Sequence, residues 1–308
     1  MSTLFSHFST KINHISPLKH NFTEVLDTIA LKPKTLYFYG KLPENVAKND
    51  RKTRPKTVAI VGSRHNTHYG QEVAYHLAYE LARRDVIVIS GLAYGIDSIS
   101  HRGCLDAGGI TIAVLGTSID HIYPKSHLSI AEDIINKKGA IISEYAPGQK
   151  VDTRYSFLQR NRLISGLSDI VVVVEAAERS GSLNTATHAL DQGKTVFAVP
   201  GNITNPYSQG CNKLIKQGAI PYTKPDDILI ELFPEEYLKE QKNFKKQKLV
   251  GDTDVETIII QAVAKGLRSG EDLIKETKLP PEVFNQTITL LEVKGRLHSL
   301  GLNRWGLI

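Results

Sequence analysis

Cysteine is scarce: Cys104 and Cys211 are the only two in 308 residues, and they fit no metal-ligand spacing. A disulfide framework is thereby excluded, and two reduced, buried thiols of a cytosolic protein are expected. No apolar run approaches the ~18 residues that span a bilayer. The first residues lack the apolar core of a secretory leader, so a cytoplasmic location without a membrane partner is expected. Several enzyme signatures are missing. No G-x-G-x-x-G follows the first strand of the central region, which disfavours NAD. There is no G-x-x-x-x-G-K-[ST] and no H-E-x-x-H. Eleven histidines are scattered, and the neighbouring pair His65 and His68 lacks a third ligand. No metal, no cofactor and no catalytic residue are expected. Ser180-Gly181-Ser182 is not a nucleophile elbow.

What remains is an ordinary globular composition, 41% hydrophobic and 23% charged, long enough for one or two domains. The net charge of +6 is unevenly spread. Residues 1–56 hold ten Lys/Arg against four Asp/Glu, residues 57–238 sixteen against nineteen, and residues 239–252 five against two. Residues 253–308 are balanced. A nucleic-acid site in the central region must therefore be a local cluster rather than a general basic surface.

From Lys56 the pattern alternates. Thr57–Val61, Val86–Ile89, Thr111–Leu115, Ala140–Ser143, Ile170–Val174 and Thr195–Val199 read as buried strands. Between and after them, helices are expected at Gly70–Arg84, Asp97–Ala107, Ser126–Lys138, Tyr155–Gly166, Leu183–Gln192 and Asn212–Gln217. Apolar strands alternating with helices imply an α/β fold: a Rossmann-like, doubly wound, mostly parallel sheet. The expected domains are a short N-terminal segment at 1–32, the α/β domain at 33–238, a Lys-rich linker at 239–252 and a small domain at 253–308. That last stretch reads as three short helices and a β-ribbon, the pattern of a winged helix. Its third helix carries no Lys or Arg before Lys294, so sequence-specific duplex reading is disfavoured and a protein-contact or scaffold role is favoured.

In such a sheet, ligands sit beyond the carboxyl ends of the strands. The loops there are Gly62-Ser63-Arg64, Gly91 to Asp97, Gly116-Thr117-Ser118, Glu175 to Ser182 with Ser180-Gly181-Ser182, and Pro200-Gly201-Asn202. Glycines admit an anion close to backbone amides, and helix N-termini attract it, so a phosphate-bearing ligand is expected. Arg64, Lys125, Arg160, Asn161 and Arg162 supply charge and hydrogen bonds, and Phe157 a ring. If they converge, an unpaired base stacks on the ring while guanidinium groups hold phosphates. The bland alternatives are pairing of the arginines with Glu144, Glu175 or Glu178, and a core position for Phe157.

These residues resemble those of the DNA-processing protein A (DprA/Smf) family. The matching stretches include Val58 to Arg64 with Tyr69-Gly70, Ser90 to Asp97, Thr111 to Gly116 with Tyr123-Pro124-Lys125, Ser143-Glu144-Tyr145, Phe157 to Arg162, Glu175 to Leu183 and Val199-Pro200-Gly201. The resemblance covers about residues 33 to 232. It implies an extended Rossmann fold, a homodimer, binding of single-stranded DNA and loading of the RecA recombinase onto it during natural transformation. It also implies that Ser63, Arg64, Lys125, Phe157, Arg160, Asn161 and Arg162 line the DNA pocket. There are departures: Leu158 stands where the family usually has proline, and Ser100 to Cys104 and Thr185 to Leu190 differ mildly from the usual motifs. The helical N-terminal domain of many members is expected to be reduced or absent. The competing function is hydrolysis of nucleoside monophosphates on a related fold. Residues Glu178 to Thr185 lack the paired glycines and glutamate that such a reaction uses.

Overall fold

The computed structural model describes residues 11–44, 46–48, 51–235 and 250–307. They fall into two compact units divided between Leu232 and Phe233. The first begins with strands Asn13–Ile15 (β1) and Leu36–Gly40 (β2) and a small antiparallel hairpin, Val46–Lys48 (β3) with Arg51–Thr53 (β4). Then strands and helices alternate: Thr57–Val61 (β5), His68–Ala82 (α1), Ile87–Ser90 (β6), Ile96–Asp106 (α2), Thr111–Val114 (β7), Leu128–Asn136 (α3), Ala140–Ser143 (β8), Thr153–Leu167 (α4), Ile170–Val173 (β9), Gly181–Asp191 (α5), Thr195–Ala198 (β10), Gln209–Lys216 (α6), Ile220–Pro221 (β11) and Pro225–Leu232 (α7). Every residue of β5 through β9 in this alternation is buried. Short β-branched runs covered on both faces give that result.

The strands form one sheet in the order β1-β2-β8-β7-β6-β5-β9-β10-β11. From β8 to β11 it is parallel. β2 joins β8, and β1 joins β2, antiparallel. The chain winds outward from β5 to β8, then returns to β5's other side as β9. α4 makes that return, so it must cross the sheet, and it packs against β5, β6 and β7. The crossover creates a topological switch between β5 and β9, where a ligand crevice is expected.

Each expected strand and helix of this domain forms, with ends shifted by a few residues. Strands β1 and β11 and helix α7 lay below the sequence signal. The N-terminal stretch is not a separate segment: Phe22, Leu26 and Ile29 are buried in the same core as α4 and the central strands. Gly166 of α4 makes room for Leu26 and Ile29. Arg54 closes the join, hydrogen-bonding the Asp169 carboxylate at 2.8 Å and the Leu167 carbonyl while its guanidinium sits 5.5 Å from the Phe22 ring centre.

The second unit contains helices Asp254–Ala264 (α8), Gly270–Thr277 (α9) and Pro281–Val293 (α10), then an antiparallel ribbon, Leu297–Ser299 (β12) with Trp305–Leu307 (β13). Ile259, Ile260, Leu273, Phe284, Leu291 and Leu297 form its core. Residues 239–249 of the expected Lys-rich linker (239–252) lie outside the described residues. Among the described residues, no helix is long and apolar enough to cross a membrane. Both cysteines are free and buried, and burial pushes each thiol up to about 12.

Phe22→Ala is expected to cost about 3–5 kcal/mol, because the vacated space lies in a shared, fully buried core. Urea unfolding checks this. A cost below about 1 kcal/mol would mean that the N-terminal stretch is an appendage.

Candidate nucleic-acid cleft

A cleft of about 580 Å³ opens at the switch between β5 and β9. The loop after β5, the start of α4 and the loop into α5 form its walls. Ser63, Arg64, Phe157, Arg160, Asn161, Ser180, Gly181 and Ser182 all line it. Eight of the ten expected site residues are thus brought together from three segments.

Their roles differ. Ser63 is spent on the loop: its amide donates to the Glu175 carbonyl at 2.7 Å and its hydroxyl to the His65 carbonyl at 2.9 Å. Arg64 is exposed, has no carboxylate partner among the described residues, and lies over the Phe157 ring at 5.4 Å. Phe157 is half-buried, and the Tyr123 ring is tilted against it with centroids 5.6 Å apart. Asn161 donates to the Gly181 carbonyl and to the Asn184 side chain, both at 3.2 Å, which ties α4 to the start of α5. Ser180 caps α5 by accepting from the Ser182 amide, and the two hydroxyls share a hydrogen bond of 2.8 Å.

Arg160 corrects the expectation of a phosphate clamp. It is buried beneath Phe157, and its guanidinium donates to the carbonyls of Gly91 (2.8 Å) and Val114. Burial lowers its pKa to about 10, and the neighbouring Asp97 opposes that shift. Asp97 is itself buried, which raises its pKa, while the Gly91 amide (3.1 Å) donates to its carboxylate. Arg160 therefore fixes the floor. Arg162 is a second correction: it does not line the cleft, and it pairs with Glu144 at 2.7 Å, both side chains being largely buried. Lys125 is exposed on a short turn following Tyr123 and Pro124, and it too lies outside the cleft lining.

The loop glycines also divide. A Cβ on Gly91 would lie 2.6 Å from the Arg160 guanidinium, and one on Gly116 2.6 Å from the Phe157 ring. These two admit the protein's own side chains rather than an anion. At the N-terminus of α1, the Glu175 carboxylate accepts from the Thr67 amide (2.8 Å) and hydroxyl (2.6 Å). The helix end that receives pyrophosphate in dinucleotide-binding sheets is thus already filled by a carboxylate. Gly181, at the first turn of α5, has nothing within 4 Å of its missing Cβ. It is the open glycine of the cleft.

Sequence reasoning missed several cleft residues, among them Arg179, Arg154 and Tyr207. Arg179 is exposed at the mouth in a loop already singled out. Arg154 lies three residues before Phe157 and shares its helix face, a signal lost by starting the helix near Tyr155; it pairs with Asp152 at 2.8 Å. Tyr207 comes from the turn before α6 and left no sequence signal.

The family model described as DNA recombination-mediator protein A matches residues 13–233. The chain belongs to that family. Members include Protein Smf of Escherichia coli (strain K12), 48% identical over 175 residues, which are 57% of this chain and 46% of that one. The chain thus matches about half the length of this curated relative. Among solved members, DNA processing protein A of Streptococcus pneumoniae superposes with a TM-score of 0.62 at 35% identity, covering 72% of this chain and 74% of that one. The Helicobacter pylori protein, whose structure is described as showing a single-stranded DNA binding mode, gives a TM-score of 0.63 at 30% identity, covering 75% and 98%. The family match begins at residue 13 rather than near 33, in accord with the buried N-terminal stretch.

Away from the cleft lining, on α2, His101 is fully buried. The Thr111 hydroxyl donates to the Val88 carbonyl at 2.8 Å, so it accepts from His101 Nδ1 at 2.7 Å. Nε2 has no partner among the described residues. Burial, then the charges of His127 and Arg160, lower this imidazole from 6.5 to about 3. The unfolded chain takes up the proton below pH 6.5 and the folded one does not, so stability falls as pH drops through that interval. Urea midpoints should decline from pH 6.5 toward pH 3, with a shallower decline in His101→Gln. Equal slopes in both proteins would refute the assignment.

Proposed function

We propose that this cleft binds single-stranded DNA, and that the chain acts as a non-enzymatic mediator passing the strand to RecA. The observation that carries this reading is the pairing of Arg64 and Phe157. An uncommitted guanidinium lies over an accessible ring, beside the open amide end of α5. A base stacks on a ring with little regard to sequence, and guanidinium and amides hold the adjoining phosphate. Arg179 and Lys125 add charge at the approaches. The carboxylates nearest the floor favour binding over hydrolysis: Glu175 is tied to Thr67, and Asp97 faces Arg160 and the Gly91 amide. The Helicobacter relative's single-strand mode supports the same reading.

Family membership extends the proposal to a homodimer acting in the cytoplasm during natural transformation. β11 is a two-residue strand at an open sheet edge with Ile220 exposed, and Ile203 and Ile230 are exposed as well. Such an edge suits a self-contact. Sedimentation at rising concentration checks the dimer, and ATP hydrolysis by RecA on the bound strand checks the handover. In the second unit we read α8 to α10 and the ribbon as a winged helix. The exposed side chains of α10 include Glu282, Asn285, Gln286 and Thr289. Lys294 is held by Asp252 (2.6 Å) and Glu256 (2.7 Å), so a protein-contact role is favoured over duplex reading.

Fluorescence anisotropy with a labelled single strand tests the site. Arg64→Ala should weaken binding and reduce the slope of log K against log salt by about 0.7 per lost phosphate contact. Phe157→Ala should cost about 1–3 kcal/mol with the salt slope kept. Wild-type affinity in both variants would remove the assignment. Arg162→Ala should act through fold stability, because its partner is Glu144.

A further inference from the structure

A second cleft of about 360 Å³ lies at the carboxyl end of β8, beside β2. Lys34, Tyr37, Glu144, Tyr145, Gln149 and Gln159 are among its walls. No step of the reading above uses it. We propose that it is a second nucleotide subsite, holding the same single strand after it leaves the main cleft and crosses α4. This rests on the single-strand reading and extends it.

The placement follows from topology. Both clefts open at the carboxyl edge of one sheet. The first lies at β5 and β9, the second at β8, three strand steps from β5, or about 15 Å at the usual spacing. α4 runs between them. Phe157 and Leu158 face the first cleft, Gln159 the second. Over the first turns of α4, Tyr155 and Leu158 are exposed, offering a ring and an apolar surface for bases on the way.

The chemistry of the walls fits a nucleotide. Tyr37 and Tyr145 are both half-buried, with part of each ring accessible. The Tyr145 hydroxyl donates to Gln159 Oε1 at 3.1 Å, and Gln149 Oε1 accepts from the Ala146 amide at 2.9 Å. Each glutamine therefore keeps its amide NH2 for a base edge or a phosphate. Lys34 is exposed and has no carboxylate partner among the described residues. The one carboxylate in the wall, Glu144, is neutralised by Arg162. The pair explains why a conspicuous arginine sits away from the main cleft: it removes an acidic charge from the path of an anionic strand.

The test compares two oligonucleotides by anisotropy and by competition: a dinucleotide, whose single internucleotide step is too short to bridge the ~15 Å between the clefts, and a strand of about fifteen nucleotides. Arg64→Ala should weaken both. Lys34→Glu and Tyr145→Ala should each weaken the long strand about fivefold to tenfold and leave the short one unchanged. Lys34 is an exposed side chain, so its variant keeps the fold, as circular dichroism would show. Long-strand affinity unchanged in both second-cleft variants, with Arg64→Ala still impaired, overturns the subsite and leaves the main reading standing. If Arg64→Ala binds both strands normally, the single-strand reading and this extension fall together.

Discussion

The arrangement depends on one buried cation. Arg160 donates to the carbonyls of Gly91 and Val114, which leave the ends of β6 and β7. Leaving a guanidinium dry is costly unless its donors are satisfied and a counter-charge is near. Carbonyl acceptors and Asp97 meet both conditions. In return the contact pins α4, the helix that must travel across the sheet, at a fixed height above the strand ends. Phe157 rides one turn earlier on the same helix, Asn161 one residue later. The ring, the tie to α5 and the floor are therefore positioned together.

That anchoring divides the cleft into committed and free groups. Ser63, Asn161, Ser180 and Ser182 spend their hydrogen bonds on loop shape, and Glu175 fills the end of α1. Arg64, Arg179 and the first turn of α5 remain for a ligand. The negative total charge of the central region is compatible with this division, because the acids closest to the floor are held by amides, a hydroxyl or a buried guanidinium.

The fold was largely legible because its strands are continuous apolar runs and its helices have four-residue apolar spacing, as in Thr57–Val61 and in Val73, Leu77 and Leu81. β1 and β11 escaped because two or three residues carry no periodicity. The site was legible as a set of loops, since switch-point logic needs only strand order and turn residues. The duty of each residue was not. Arg160 and Arg162 are two positions apart on one helix, so they point to different faces, one into the floor and the other to Glu144. Sequence shows two arginines with equal claims. Likewise Gly91 and Gly116 read as room for a phosphate, and only packing shows that Arg160 and Phe157 occupy that room.

The guanidinium of Arg64 lies over the Phe157 ring in the free protein. Under the proposed reading, a base stacking on that face would have to displace the guanidinium, and the displaced charge would stay within reach of the strand's backbone. Without a strand, the aromatic face is covered by a well-hydrated ion rather than left bare to water. The same contact that shields the ring in the free protein would then be the one exchanged on binding.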